Sequence, residues 1–527
     1  MRNVRTRYAR WAALVAVVAL LATACGSEGD GDDAAPTETT TETAAAYRDG
    51  IPKVGYDLIQ PGGPGFSLEP AKQPTNTNDG LMYAIYARLL RPTASGGLEP
   101  DLAEKVTITD KNTIDVELKP GLTFHDGSAL DAAAVKASLE EILNSGSNTL
   151  GAAFASLKTI DVTGPLSLRL NVPDGSAPSW HDSFLGSWQT SIAKAGTNYA
   201  QPVGSGPMRV ASFTPQERLV LERFDGFHDA DAVSLAGMDL INVSAEQPQS
   251  GIAALKSGQI DIVLTEVGQI PSLGGQYVHL TQTTPDRLSW AMICKRDAPL
   301  NDPKVRQALN KAIDRDAVND AVFAGTGSPA TEVWPEGNRF FEPDLADVLA
   351  YDPAAAKQLL TDAGHPDGID VDLFVLPNRS SPEVAEVIEQ QFAAVGIRAT
   401  IINSPNYVAD FLQPQKSGLG LIPSISNGRQ RLTSFSGTGI GNACAYADPE
   451  LDALVAELKG VTDSSDEAVE IWSDINDIIT NDALGVFILW GSLIGAYDEQ
   501  AFGAEPVPWP IGSYIFPDPF HTAMAEP

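Results

Sequence analysis

The chain predicts an α/β protein with a parallel sheet in its second half, on three observations. Strand and helix patterns alternate between Val371 and Ile425, Asp-Pro and Ser-Pro pairs open the helices around them, and the composition is that of a globular chain. The alternation runs strand (Val371–Leu376), helix (Glu383–Val395), strand (Ile397–Ile402), helix (Tyr407–Gln413), strand (Leu419–Ile425). Such an order implies parallel strands joined by right-handed crossovers. Ligands on sheets of this kind bind outside the carboxyl ends of the strands. Two loops leave those ends: Pro377–Ser380, carrying Arg379, and Ser426–Arg431, carrying Asn427, Arg429 and Arg431. These four are the candidate ligand-binding residues; the competing reading makes each arginine a solvated surface group.

The punctuation supports the helices. Asp302-Pro303, Asp352-Pro353, Ser381-Pro382 and Asp448-Pro449 each place a capping side chain before a Pro at the first helical position. After Asp302, the residues Val305, Ala308, Leu309, Ala312 and Ile313 recur at the spacing of one packed helical face. The helices after Asp352 and Ser381 are expected to stop at Gly364 and Gly396. In the first half, Asp79 caps a helix expected to run through Arg91, with Leu81, Ile85 and Leu89 on one face. Lys105–Ile108 and Thr113–Leu118 alternate like paired strands around Asp110-Lys111-Asn112, and Asp131 opens an amphipathic helix. Leu166–Val172 and Leu219–Arg223 read as further strands.

A length of 527 residues suggests two to four compact units. Lys+Arg 35 against Asp+Glu 68 leaves a net charge of −33, which disfavours nucleic acid and anionic membrane surfaces as bulk partners, both being polyanions. Enzyme motifs are missing: no Gly-x-Ser-x-Gly elbow, no His-Glu-x-x-His, no Walker A, and no dinucleotide fingerprint after a strand. The six histidines are scattered without ligand spacing, so neither a metal nor another cofactor is expected. Abundant carboxylates leave a carboxylate-dependent hydrolase as the alternative from another class.

Met1–Arg10 is basic, and the fourteen uncharged residues Trp11–Ala24 reach about 21 Å, short of a hydrocarbon core of about 30 Å. Residues 1–24 therefore read as a signal peptide. Leu21-Ala22-Thr23-Ala24-Cys25 resembles the lipobox of bacterial lipoproteins, departing from it in having Ala22 three places before the Cys. The resemblance implies a lipidated (palmitate-bearing) Cys25; a plain signal peptide with an incidental Cys is the alternative. Gly26–Ala46 carries six acids, no aromatic and nothing to bury, and the stretch from Cys25 to residue 48 reads as a flexible linker. Cys294 and Cys444 remain. They are a candidate disulfide closing a loop of about 150 residues, or two separate buried thiols.

Several stretches resemble the family 5 extracellular solute-binding proteins of ABC importers, the group with oligopeptide-, dipeptide- and nickel-binding members. Leu118-Lys119-Pro120-Gly121-Leu122-Thr123-Phe124-His125-Asp126-Gly127 is similar to its "L-R-x-G-x-x-F-H-D-G" run, and Leu98–Glu104 to "G-x-L-x-P-x-L-A-E". Val203-Gly204-Ser205-Gly206-Pro207 stands for "V-G-T-G-P", and Ala254–Asp261 for "A-L-x-x-G-E-x-D". Asp302–Leu309 with Ala312-Ile313-Asp314-Arg315 resembles "D-x-R-V-R-Q-A-L-x-x-A-I-D-R". Tyr351-Asp352-Pro353, Lys357, Leu359-Leu360 and Ala363-Gly364 fit the next block. His125 belongs to a scaffold motif of the family and is expected to be structural.

The resemblance implies a two-lobed, periplasmic-binding-protein-like (type II) fold with an extra subdomain in the first lobe. Expected borders are lobe I at 49–295, with the subdomain at about 76–203, lobe II at 296–482, and a return to lobe I at 483–527. It further implies capture of an extracellular peptide or other small polar or anionic solute, delivered to a permease of two transmembrane subunits with two ATPase subunits. The protein is then an exported monomer anchored to the outer face of the cytoplasmic membrane; a sensory or structural lipoprotein on the same fold is a second alternative. Peptide-binding relatives hold the ligand's α-amine with an Asp in the loop corresponding to Ser424–Arg431, where this chain has none. A buried ammonium without its carboxylate would cost several kcal/mol. An Arg near the position of Arg379 takes the ligand carboxylate in dipeptide-binding relatives, so an anionic or neutral polar solute is expected.

Overall fold

The computed structural model describes residues 50–59, 66–73, 76–93, 97–145, 156–172, 174–244, 248–281, 287–377, 381–425, 428–437, 442–491, 493–510 and 515–525. The expectations placed on residues 1–48, Cys25 included, and on Arg379 and Asn427 lie outside the described residues. Among the described residues, no helix is long and apolar enough to cross a membrane.

The chain starts with β1 (Lys53–Tyr56) and the buried helix α1 (Asp79–Ile85). It then builds a separate four-stranded sheet from β2 (Ala103–Asp110), β3 (Thr113–Leu118), β4 (Thr159–Gly164) and β5 (Ser167–Asn171), in the order β2-β3-β5-β4. Helix α2 (Ala132–Leu143) lies between β3 and β4 in sequence, and α3 (Ala177–Phe184) follows β5. Strands β6 (Met208–Thr214), β7 (Arg218–Arg223), β8 (Gly237–Asn242), β9 (Ile262–Thr265) and β10 (Tyr277–Thr281) rejoin β1, with α4 (Pro248–Lys256) between β8 and β9.

A second, six-stranded sheet begins with β11 (Arg287–Ile293). Then come α5 (Pro303–Lys311), α6 (Arg315–Phe323), β12 (Ser328–Pro329), α7 (Pro353–Asp362), β13 (Ile369–Val375), α8 (Ser381–Val395), β14 (Ile397–Asn403) and β15 (Leu419–Ile425). The short helix α9 (Gly428–Arg431), then α10 (Pro449–Leu458), α11 (Asp466–Asn481) and β16 (Gly485–Gly491) complete this half. The chain returns through β17 (Ile494–Asp498). The sheet orders are β10-β17-β9-β1-β8-β7-β6 and β12-β16-β11-β15-β13-β14.

The two sheets have separate cores. The first runs from Val54 through the four-stranded subdomain to Trp509 and Phe516 near the C-terminus. The second sheet is covered on both faces: Val305, Leu309, Ile388 and Phe392 on one, Trp290, Phe411, Trp472 and Phe487 on the other. A sheet buried on both faces explains why β16 is buried at every position and shows no polar alternation. Each fully buried Ile or Phe here is worth about 1.5–3 kcal/mol.

The expected parallel alternation is observed, with β13 paired parallel to both β14 and β15. Asp302, Asp352 and Asp448 each accept a backbone N–H of the first turn of α5, α7 and α10. Helix α8 begins at Ser381 itself, so its cap falls outside the described residues. Two expectations shift. The helix from Asp79 ends at Ile85 instead of Arg91, because the loop Ser205-Gly206 donates both N–H groups to Ile85 O (3.2 and 2.9 Å) and the chain then runs extended. The strands exchange sheets between Thr281 and Arg287 and between Gly491 and Ile494, so β11 and β16 lie in the second sheet, where borders at 295/296 and 482/483 would put them in the first lobe.

His125 joins two of the motif stretches. Its Nδ1 accepts from Gly204 N at 3.1 Å and its Nε2 stands 3.1 Å from Gly206 O, which fixes a neutral ring with the proton on Nε2. Gly204 is required by closeness: a Cβ there would lie 2.0 Å from Ile85 O. Burial pushes the His125 pKa down to about 4.

Candidate functional site

Because β13, β14 and β15 run parallel, their carboxyl ends share one edge of the second sheet. Leu376-Pro377 leaves the first, Ser404 the second, and the helix α9 (Gly428–Arg431) follows the third. Ser404 is buried and donates its N–H to Val375 O at 2.8 Å, which ties two of these exits together.

The structure places the two described candidate arginines, Arg429 and Arg431, in α9, both buried. Arg431 donates from Nη1 to Val333 O at 2.8 Å and lays its guanidinium over Trp490, 4.9 Å from the ring centre. Arg429 donates from Nε to Asp463 Oδ1 (2.7 Å), from Nη1 to Leu458 O (2.6 Å) and from Nη2 to Val461 O (2.8 Å). Neither is a solvated surface group. The expectation that Arg429 and Arg431 offer bidentate bonds to a solute therefore meets guanidinium groups already engaged by protein acceptors. The physical reason is the turn after α10, which leaves carbonyls at Leu458 and Val461 that a buried donor must satisfy. The glycine opening α9 sits flat on an indole: a Cβ on Gly428 would lie 2.0 Å from the Trp334 ring.

Charged groups are buried around this loop. Glu332, 1% exposed and next to Val333, has its carboxyl pushed up to about 8 by burial, with only the Glu342 N–H at 3.3–3.4 Å opposing the rise. Arg315 donates to the carbonyls of Ala330 (2.7 Å), Leu349 (3.0 Å) and Phe487 (3.1 Å), and burial lowers its pKa to about 10. It ties the carbonyls of Ala330 and Phe487 together at the strand edge.

The first sheet offers a matching edge, since β1 pairs parallel with both β8 and β9. There Tyr56 donates its hydroxyl to Asn78 Oδ1 (2.8 Å), Asn78 Nδ2 donates to Gln73 Oε1 (2.7 Å), and Leu58 N donates to Asn242 Oδ1 (2.9 Å). Behind them lies a buried ion pair, Arg88 to Asp79 at 2.9 Å, with Trp509 Nε1 donating to the same carboxylate at 3.0 Å.

Among the described residues, the subdomain and the second lobe meet at a polar seam. Asp182 on α3 accepts from Asp463 N at 2.6 Å and lies 3.8 Å from Arg429 Nη2, while Ser179 N donates to Lys459 O at 3.2 Å. Sequence reasoning missed Asp182 and Asp463, and no motif marks either. Cys294 and Cys444 lie in disulfide geometry with Cα atoms 5.1 Å apart, at the end of β11 remote from the Arg287–Ile425 pair. Among the described residues, no group of three His, Cys, Asp or Glu side chains is placed to hold a metal ion.

Comparison with known proteins gives a consistent set of relatives. The family described as bacterial extracellular solute-binding proteins, family 5 Middle, matches residues 97–420. The glutathione-binding protein GsiB of Salmonella paratyphi A is 24% identical over 483 residues, covering 82% of this chain and 88% of its own. Among solved structures, the substrate-binding protein CtaP of Listeria monocytogenes superposes with a TM-score of 0.75 at 21% identity, over 91% of this chain and 100% of its own. The periplasmic binding protein DppA of Helicobacter pylori, in complex with the peptide STSA, gives 0.70 at 19% identity, over 91% and 99%. These are two-lobed binding-protein folds, and the topology described above is the same kind.

Proposed function

Because the chain belongs to the bacterial extracellular solute-binding proteins of family 5, its role is that of the solute-binding subunit of an ABC importer, and we propose that it closes two lobes around one small polar solute and releases it unaltered. The family works with ABC permease and ATPase subunits, and we assign this chain two of each. The comparisons support this reading and not a hydrolase or a sensory lipoprotein. The observation that carries it is the pair of separately cored sheets, each ending parallel strands on a common edge, with a polar seam between the halves at Asp182. A ligand drives closure of such a body only by contacting both lobes.

For the solute, the absence of an Asp from Ser424–Arg431 and the engagement of Arg429 and Arg431 leave Arg379 and Asn427 as the proposed contacts. We assign Arg429 and Arg431 to building the loop. An anionic or neutral polar compound, including a peptide with net negative charge of the glutathione kind, suits that pair better than a zwitterionic peptide. Residues 1–24 serve as a signal peptide and Cys25 as the lipid-bearing residue, so that a monomeric domain hangs from its acidic tether at the outer face of the membrane. We place the lobe borders where the strands change sheets, between Thr281 and Arg287 and between Gly491 and Ile494.

Native mass spectrometry of protein purified from its own host, followed by calorimetry with reduced glutathione, the peptide Ser-Thr-Ser-Ala and succinate, tests the proposal. Binding of an anionic probe that weakens at least about tenfold in Arg379→Ala is expected. Tight binding of the uncharged-chain peptide that survives Arg379→Ala would overturn the solute assignment, and a chemically altered solute would overturn the transport role.

A further inference from the structure

Arg429 and the seam it touches combine into something the family assignment does not contain. The turn between α10 and α11 is held from inside the second lobe by two arginines. Arg429 takes Leu458 O, Val461 O and the Asp463 carboxylate, and Arg339 takes Asp463 O (2.9 Å) and Ser465 O (3.2 Å). So clamped, the turn presents one backbone donor outward, Asp463 N, and one acceptor, Lys459 O. Both are met by α3 of the subdomain: Asp182 Oδ2 accepts the first at 2.6 Å, and Ser179 N donates to the second. Asp182 is itself oriented by His181, whose Nδ1 stands 2.8 Å from Oδ1, and α3 is anchored by Trp180 and Phe184 in the first core.

We propose that Asp182 is a positioning residue for lobe closure, linking the subdomain to the solute loop through Arg429. The inference rests on the importer reading, and deepens it by naming which element of the first lobe responds to occupancy. The logic is geometric. Arg429 sits in the four-residue helix α9, so a shift of α9 moves the guanidinium, and with it the turn that Asp182 holds. A carboxylate accepting a backbone N–H makes a charge-assisted bond, and its loss shifts a two-state equilibrium by about tenfold or more. Because the bond forms only when the lobes are together, that energy acts on the closed state alone.

The test is an electron-spin distance measurement between genetically encoded labels at Lys105 in the subdomain and Glu470 on α11, leaving Cys294 and Cys444 intact. It is run on protein taken from its own host without dialysis and on the same protein after dialysis. In Asp182→Ala the short-distance population is expected to fall about tenfold relative to wild type, with the melting temperature unchanged. Asp182→Asn, which keeps an acceptor for Asp463 N, is expected to recover part of that population. Superimposable distance distributions for wild type and Asp182→Ala in both preparations would overturn the proposal, and so would a loss that Asp182→Asn and Asp182→Ala share alongside an equal drop in melting temperature. Failure of the importer reading looks different: the protein would carry no solute by mass, whatever the labels report.

Discussion

The joint at His125 and the seam at Asp182 use the same chemistry in opposite ways. In each, a side chain from the subdomain satisfies backbone groups of a distant loop: His125 bonds Gly204 N and Gly206 O, and Asp182 bonds Asp463 N. The His125 joint lies inside the first lobe, packed against Phe224, with both ring nitrogens satisfied. The Asp182 seam crosses between lobes, with a half-exposed Asp463 carboxylate and a 3.8 Å ion pair. Breaking the first should cost folding energy. Breaking the second should cost almost none, and should instead change how often the lobes meet.

Predictions that sharpen this contrast run from the large effects inside lobes to the smallest at the seam. Replacing Cys294 and Cys444 by Ser opens a link spanning 150 residues and should lower the stability of the second lobe by about 4–5 kcal/mol, seen as loss of one calorimetric transition while the other stays. Asp79→Ala leaves Arg88 buried against Tyr83 without its carboxylate, and should cost the first lobe about 4 kcal/mol in a denaturant titration.

His125 gives a pH signature. Its folded pKa, about 4, lies below the ordinary 6.5, so the unfolded chain binds the extra proton between those values. Stability is therefore fully present above pH 6.5 and declines as pH falls towards 4, by at most about 3 kcal/mol, and His125→Gln should flatten that part of the profile. Asp352→Ala removes the cap of α7 and should cost about 1 kcal/mol. Asp182→Ala should change unfolding by less than any of these; a loss as large as that of Asp79→Ala would erase the distinction between joint and seam.

What was legible in the sequence is what local physics writes there. The Asp-Pro caps at Asp302, Asp352 and Asp448 formed where expected because cap and helix lie within three residues of each other. Helices α7 and α8 ended at Gly364 and Gly396, both at positive φ. The parallel core β13-β15 followed from alternation alone. The helix from Asp79 was over-extended because its end is set by residues 205 and 206, about 120 positions away, and not by its own apolar spacing. That β11 and β16 pair within the second sheet is not written in their own residues for a related reason: pairing partners are tertiary facts.

The candidate site divides along the same line. Its loops could be located from strand order, but whether an arginine there is open or engaged depends on acceptors far along the chain. For Arg429 these are Leu458, Val461 and Asp463, then Asp182 from another lobe. For Arg431 the acceptor is Val333 O, 98 residues earlier. His125 was legible because it sits inside a motif, and the structure shows why the motif exists: it locks the glycine loop that ends α1.

Small-angle scattering compares most directly what the account requires, namely one protein in two states. Protein taken from its own host without dialysis should have a smaller radius of gyration than the same protein unfolded, stripped of solute and refolded, and adding back the recovered solute, unchanged in mass, should restore the smaller value. Profiles that superimpose throughout, or a recovered solute of altered mass, would contradict capture by closure between two lobes.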